Sequence, residues 1–401
     1  MDDLAEELVN HICGFADTTS CASLSRVSKK MHRIVEPHLY SKVHIILPWC
    51  EVGDYSNSRG LRRTLQTNPH LRPLVKKISA GTLVESRATK SPVTWLECQR
   101  YVSDIVALSS RLEAIDMEGY FAHERRLSSS HLFRIFVVDL RSSPCHFDYL
   151  KRIDGSIGWT LNDLFHDFSL PSLETLNIHG GYDTVFFDSR WRDLQSTVKH
   201  LSFADIERGY SDTSKVFPAI AQSCSRLESL RVLGKDKSYG RNFFQAVVSA
   251  FTGVTVQTQL SELELWEDNR PPLREVYFDS FDLSNFGHNI TLERLDMDVS
   301  ILSKGTAVPD DDDDGSSWTP WDISLELPRN LKTLQLRVSH PFLANRLVDR
   351  LEELCNSDIK AMLPKLQELR VRSEYIEDEG LEEMKTKFQQ QGVRFSVRKL
   401  E

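Results

Sequence analysis

Leu173-Glu174-Thr175-Leu176-Asn177-Ile178 returns, slightly altered, as Leu227-Glu228-Ser229-Leu230-Arg231-Val232, as Leu292-Glu293-Arg294-Leu295-Asp296-Met297 and as Leu366-Gln367-Glu368-Leu369-Arg370-Val371. The phrase is apolar, two polar, apolar, one polar, apolar. Looser copies stand at 112–117, 198–203, 260–265, 273–278 and 331–336, making nine in all, and Leu opens eight of them. At this apolar content chance supplies about five, so the shared wording carries more weight than the count. The closing alternation predicts a short strand with one buried face. Segments with helical apolar spacing lie near several copies, at 95–110, 217–224, 242–251, 343–362 and 380–390. Strands separated by helices favour parallel pairing.

The phrase resembles the strand segment of leucine-rich repeats. That resemblance implies an irregular solenoid with parallel strands on one face and helices on the other. The expected fold class is therefore α/β: a short three-helix module over 1–40, then a leucine-rich-repeat-like body over 41–401. In each copy the three apolar residues should point inward and the alternating residues outward. The outward positions of the middle copies are acidic with two aromatics, and those of the last copies are basic. Glu264, Trp266, Tyr277, Asp296, Arg337 and Arg370 are the candidate target-binding residues, with Trp266 and Tyr277 as anchors for a basic or mixed-charge protein target. The plainer alternative is a solvated face with incidental aromatics.

Residues 303–322 interrupt the pattern with Asp310-Asp311-Asp312-Asp313-Asp314, then Gly315-Ser316-Ser317 and Trp318-Thr319-Pro320-Trp321. Five adjacent acids repel one another, so a disordered insertion is expected. Their spacing is not that of a calcium loop.

Ahead of the repeats, Leu4, Leu8, Val9, Ile12 and Phe15 fall on one helical stripe, with acids at its start. Asp17-Thr18-Thr19-Ser20 offers caps for a second helix beginning near Ser20 and carrying Leu24 and Val27. A third helix places Met31, Ile34 and Val35 together and is expected to end at Pro37. A strand at 43–47 follows, then helix, turn and strand over 60–80. Three helices this short cannot hide all their apolar surface among themselves, so some of it must meet another surface.

Residues 4–40 resemble an F-box of the fungal type. The likeness rests on Leu4-Ala5-Glu6-Glu7-Leu8 with Ile12, on Leu24-Ser25-Arg26-Val27-Ser28-Lys29-Lys30, and on Ile34-Val35-Glu36-Pro37-His38-Leu39-Tyr40. Ala5 stands where the family usually carries Pro. The resemblance implies docking onto the Skp adaptor of a cullin–RING ubiquitin ligase through Leu4, Leu8, Ile12, Leu24, Val27 and Pro37, with the repeat body binding a protein target. The competing reading is a repeat scaffold outside any ligase, its first helices capping the solenoid.

Composition narrows the alternatives. The chain has 401 residues, 40% apolar and 27% charged, with a net charge of −9. That balance disfavours nucleic acid, which needs clustered Lys and Arg. The start is acidic with spaced apolar residues, unlike a secretory signal, and no apolar run is long enough for a bilayer. An intracellular protein without membrane attachment is expected. Seven scattered cysteines argue for reduced, mostly buried thiols. No phosphate-binding loop, hydrolase elbow or paired zinc spacing occurs. The expectation is a binding protein, not an enzyme, with no catalytic residues, cofactor or metal.

Overall fold

The computed structural model describes residues 4–48, 56–83, 102–116, 147–154, 169–179, 194–206, 213–234, 249–251, 259–267, 276–278, 291–299, 305–307, 327–338, 341–376 and 381–399. The chain forms two compact units, Met1–His179 and Gly180–Glu401. Parallel strands with flanking helices make both of them α/β.

The first unit opens with α1 (Glu6–Phe15), α2 (Thr18–Leu24) and α3 (Lys29–Ser41). Each begins for a local reason. Glu6 and Glu7 place negative charge on the first turn of α1. The Ser20 N–H donates to the Asp17 carboxylate at 2.6 Å, so α2 starts two residues earlier than expected. That bond holds the Asp17 carboxyl below its ordinary range. The Met31 N–H donates to Ser28 Oγ at 3.2 Å and caps α3. Pro37 does not end α3, which runs on to Ser41. Proline removes one intrahelical bond, to the carbonyl four residues back. Here that residue is Arg33, on the exposed side, where water can take the carbonyl. Beyond Pro37, Leu39 packs on the helical core and keeps the last turn in place.

Five parallel strands complete this unit in chain order: β1 (Lys42–Pro48), β2 (Lys77–Leu83), β3 (Ala114–Asp116), β4 (Arg152–Asp154) and β5 (Thr175–His179). Between β1 and β2 lie α4 (Ser56–Thr67) and a 3-10 turn, Pro69–Leu74, matching the helix, turn and strand read from 60–80. The second unit holds seven parallel strands: β6 (His200–Ile206), β7 (Ser229–Gly234), β8 (Glu262–Glu267), β10 (Arg294–Asp298), β12 (Thr333–Val338), β13 (Glu368–Ser373) and β14 (Arg394–Arg398). Its helices are α5 (Thr213–Ser223), α6 (Pro341–Asn356), α7 (Ile359–Met362) and α8 (Glu382–Gln390). Pairing of each strand with the next along the chain is the order of a solenoid.

The repeated phrase acts through its backbone as much as its side chains. The opening Leu closes a tight turn, as where the Leu112, Leu227, Leu331 and Leu366 N–H groups donate to the carbonyls of Ser109, Cys224, Pro328 and Leu363. The carbonyl of the second residue then accepts two N–H groups from the next strand. Glu113 takes Lys151 at 2.8 Å and Arg152 at 3.2 Å, and Lys332 takes Gln367 at 2.9 Å and Glu368 at 3.0 Å. These shared bonds bring each strand start to its neighbour before the ladder begins. The three apolar positions form the core: Leu366, Leu369 and Val371 are wholly buried, as are Leu227, Leu230 and Val232. Each such side chain contributes about 1.5–3 kcal/mol on burial.

One copy departs from the pattern. Val276–Phe278 is β9, and it pairs antiparallel with β11 (Gly305–Ala307) outside the parallel run. Part of the expected disordered insertion is therefore a strand, while Asp310–Asp314 lies outside the described residues. Strands β1, β2, β4 and β14 belong to no copy of the phrase, and of these β4 and β14 were not expected as strands. In β4 the third apolar position is Gly155. In β14, Phe395 and Val397 alternate without an opening Leu. Among the described residues no helix is long and apolar enough to cross a membrane.

Candidate binding surfaces

Two surfaces stand out, one on each unit. The first is on the opening helices. Val9 and Cys13 of α1 close against Cys21, Met31, Ile34 and Val35 to form a core with no exposed member. The Cys21 thiol donates to the Cys13 carbonyl at 3.7 Å, and its burial raises the thiol pKa. Polar ties hold α1 to α3: Glu6 with Arg33 at 2.5 Å, and Asn10 Oδ1 with His38 Nε2 at 2.7 Å.

The other flank of α1 is bare. Leu8 is 55% exposed, Ile12 54% and Phe15 82%, and Leu4 just before the helix is 41% exposed. At about 100° per residue, Leu8, Ile12 and Phe15 span an arc of roughly 60°, whereas Val9 and Cys13 sit about 100° and 140° from Leu8. The single stripe read from sequence is therefore two stripes, and Val9 belongs to the buried one. Val27, after α2, is 59% exposed. Of the other expected adaptor residues, Leu24 is half-buried against the core and Pro37 is exposed. Phe15 is the most exposed apolar side chain in this group and was not among those candidates. Its place in the same helical period was the available signal. Isolated exposed apolar residues are ordinary, but a clustered group marks a contact surface.

The second surface is the outward side of β7 to β14. Strand register lays out two rows. One reads Arg231, Glu264, Asp296, Gln335, Arg370, Ser396, and the other reads Trp266, Asp298, Arg337, Arg372, Arg398 across β8 to β14. The expected separation into an acidic middle and a basic end gives way to direct pairing. Arg337 donates through Nε and Nη2 to the two oxygens of Asp296, both at 2.9 Å, and through Nη2 to Glu264 at 3.2 Å. Gln335 also donates to Asp296. Asp296 and Arg337 are thus buried, at 4% and 7% exposure. A bidentate pair with further hydrogen bonds is the arrangement in which two charges tolerate loss of water.

Trp266 lies between two guanidinium groups. Arg231 is 4.6 Å from its ring centre, and Arg337 stacks on the ring. Burial pushes the Glu264 carboxyl up, helped by Asp296 and opposed by Arg231 and Arg337. Glu368 is held below its ordinary range by the Arg370 hydrogen bond at 2.7 Å and by nearby Arg394 and Arg398. Tyr277 is carried on β9, outside the parallel run, and its side chain lies outside the described residues. The register therefore unites Glu264, Trp266, Asp296, Arg337 and Arg370 on one face.

Among the described residues no group of three His, Cys, Asp or Glu side chains is placed to hold a metal ion. Burial pushes the Cys224 thiol up to about 12, so it stays protonated at neutral pH. No protein-family model matches the chain, and a search of curated protein sequences returned no match.

Proposed function

We propose that this protein is a substrate-recognition subunit of a Skp–cullin–F-box ubiquitin ligase. In this reading the bare flank of α1, with Val27, docks the Skp adaptor, and the outward strand face receives a protein target. No bond chemistry falls to this chain. Its contribution is effective concentration, holding a target beside the ubiquitin-charged enzyme by joining two binding surfaces in one molecule.

The observation that carries the reading is the apolar stripe of Leu8, Ile12 and Phe15, left exposed after Val9 and Cys13 have closed the helical core. This also discriminates against a scaffold whose first helices serve only as a cap. A solenoid cap turns its polar side to water, whereas α1 turns an apolar one. The F-box-like wording of residues 4–40 supplies the identity of the partner; the exposed stripe supplies the surface.

Co-expression with the Skp adaptor tests the proposal. The wild-type chain should co-purify with the adaptor, and a variant with Leu8, Ile12 and Phe15 changed to Ser should not, while both give the same circular dichroism. Loss of nothing but fold, or retention of the adaptor by the Ser variant, contradicts it.

A further inference from the structure

The outward face of the second unit carries more hydrogen-bonding capacity than it uses. Among the described residues, buried side-chain atoms without a hydrogen-bond partner include Trp266 Nε1, Gln335 Oε1 and Arg370 Nε, whereas Arg231 Nε faces the Glu264 carboxylate at 3.5 Å. These three stand at outward positions of β8, β12 and β13. Two of them are donors. Gln335 is 1% exposed, and its oxygen sits in register beside Arg370. Buried polar atoms are nearly always paired, so a cluster of orphans calls for an explanation such as a missing partner.

A second observation points the same way. Register places Arg337, Arg372 and Arg398 side by side on three adjacent strands. Neighbouring strands are about 4.8 Å apart, and like charges directly opposite are destabilising. Arg337 is neutralised by Asp296 and Glu264. Arg370 and Arg394 share Glu368. Among the described residues no carboxylate lies within ion-pair distance of Arg372 or Arg398. Among the described residues these two adjacent guanidinium groups therefore lack a direct carboxylate partner, Arg398 acting on Glu368 only at longer range.

We propose that this face binds an acidic peptide segment of a partner protein, its carboxylates pairing with Arg372 and Arg398. This names the target class, and so rests on the target-recognition half of the reading above; it does not depend on adaptor docking. The local charge prevails over the net charge of −9 because screening confines each charge to about 8 Å at physiological salt. The face already shows the chemistry in miniature, since Asp296 on Arg337 and Glu368 on Arg370 are guanidinium–carboxylate pairs.

The probe is a fluorescein-labelled peptide of about eight residues, roughly 26 Å when extended, alternating Glu and Ser, titrated by anisotropy against the full chain without adaptor. Its counterparts carry Gln for Glu, or phosphoserine with Gln. The Glu peptide should bind, weaken as salt rises, and lose about tenfold in affinity with Arg372→Gln/Arg398→Gln. The same double variant should keep or raise the melting temperature, since it relieves like-charge contact; a structural pair would instead lower it. Should that variant misfold, Arg398→Gln alone, at an exposed position, supplies the comparison. Equal binding of the Gln peptide, binding of the phosphoserine peptide alone, or unchanged affinity in the variants overturns the proposal. Adaptor capture by Arg372→Gln/Arg398→Gln, measured in parallel, should equal wild type; its loss would fault the adaptor reading and leave the peptide result standing.

Discussion

Leu8→Asp separates docking from folding. Leu8 is 55% exposed, and its neighbours Ile12 and Phe15 are more than half exposed as well. Full burial of a Leu side chain is worth about 1.5–3 kcal/mol, so docking can still recover roughly half of that at Leu8, about 1–1.5 kcal/mol. Asp forfeits this gain and places a carboxylate in a dry contact, which costs a further ~2–4 kcal/mol even after partial relaxation. The sum, about 3–5 kcal/mol, corresponds to a loss of roughly two to four orders of magnitude in affinity. The same change costs the free protein little. Leu to Asp on an exposed helix position loses about 0.5 kcal/mol of propensity, and the position is near the helix start, where negative charge is favoured. Val9→Asp is the control, because Val9 lies in the helical core at 5% exposure. It should disrupt the helices themselves. Calorimetric titration with the Skp adaptor, paired with thermal melts, reads both effects. Leu8→Asp binding like wild type, or melting like Val9→Asp, refutes the reasoning.

Further outcomes follow from the same geometry. Ala5 caps α1 with φ −57° and no side-chain bond, a backbone already suited to proline; Ala5→Pro should raise stability by about 0.4–1 kcal/mol in chemical denaturation. Asp296→Asn takes the bidentate partner from buried Arg337 and leaves it Glu264 alone, which should cost about 2–4 kcal/mol, whereas Glu264→Gln, which leaves the Asp296 pair intact, should cost far less; urea titration of both variants distinguishes them. Because the folded Glu264 carboxyl is raised mainly by burial, the native state binds more protons there than the unfolded chain, and stability falls as pH rises through the window above the ordinary carboxylate range. Melting temperature followed across that window should slope downward in wild type relative to Glu264→Gln; parallel slopes would contradict the assignment. Leu369→Ala, at a wholly buried strand position, should cost about 2–5 kcal/mol by denaturant unfolding.

The strands were legible because their chemistry is local. Leu, two polar residues and an alternating pair fix a turn, a shared carbonyl and a buried face within six positions, and eight of the nine copies lie in parallel runs. Where one of those letters is absent, as at Gly155 or across β14, the strand persists through its neighbours alone and the sequence is silent. The site was less legible because register is not local. Irregular spacing between copies hides the fact that Asp296 stands beside Gln335 and within reach of Arg337, so an acidic and a basic patch were expected where an ion pair forms. The opening helices show the same limit. Leu8 and Val9 are equally apolar, and only the position of α3, carrying Met31 and Val35, decides which one is covered.

The central claim is that the uncovered flank of α1 is a docking surface for the Skp adaptor. Titration of the purified full chain into purified adaptor at several temperatures addresses it most directly. A one-to-one complex with a negative heat-capacity change, the mark of apolar burial, is the expected result. An absence of binding heat at every temperature, with the chain folded throughout, would contradict it.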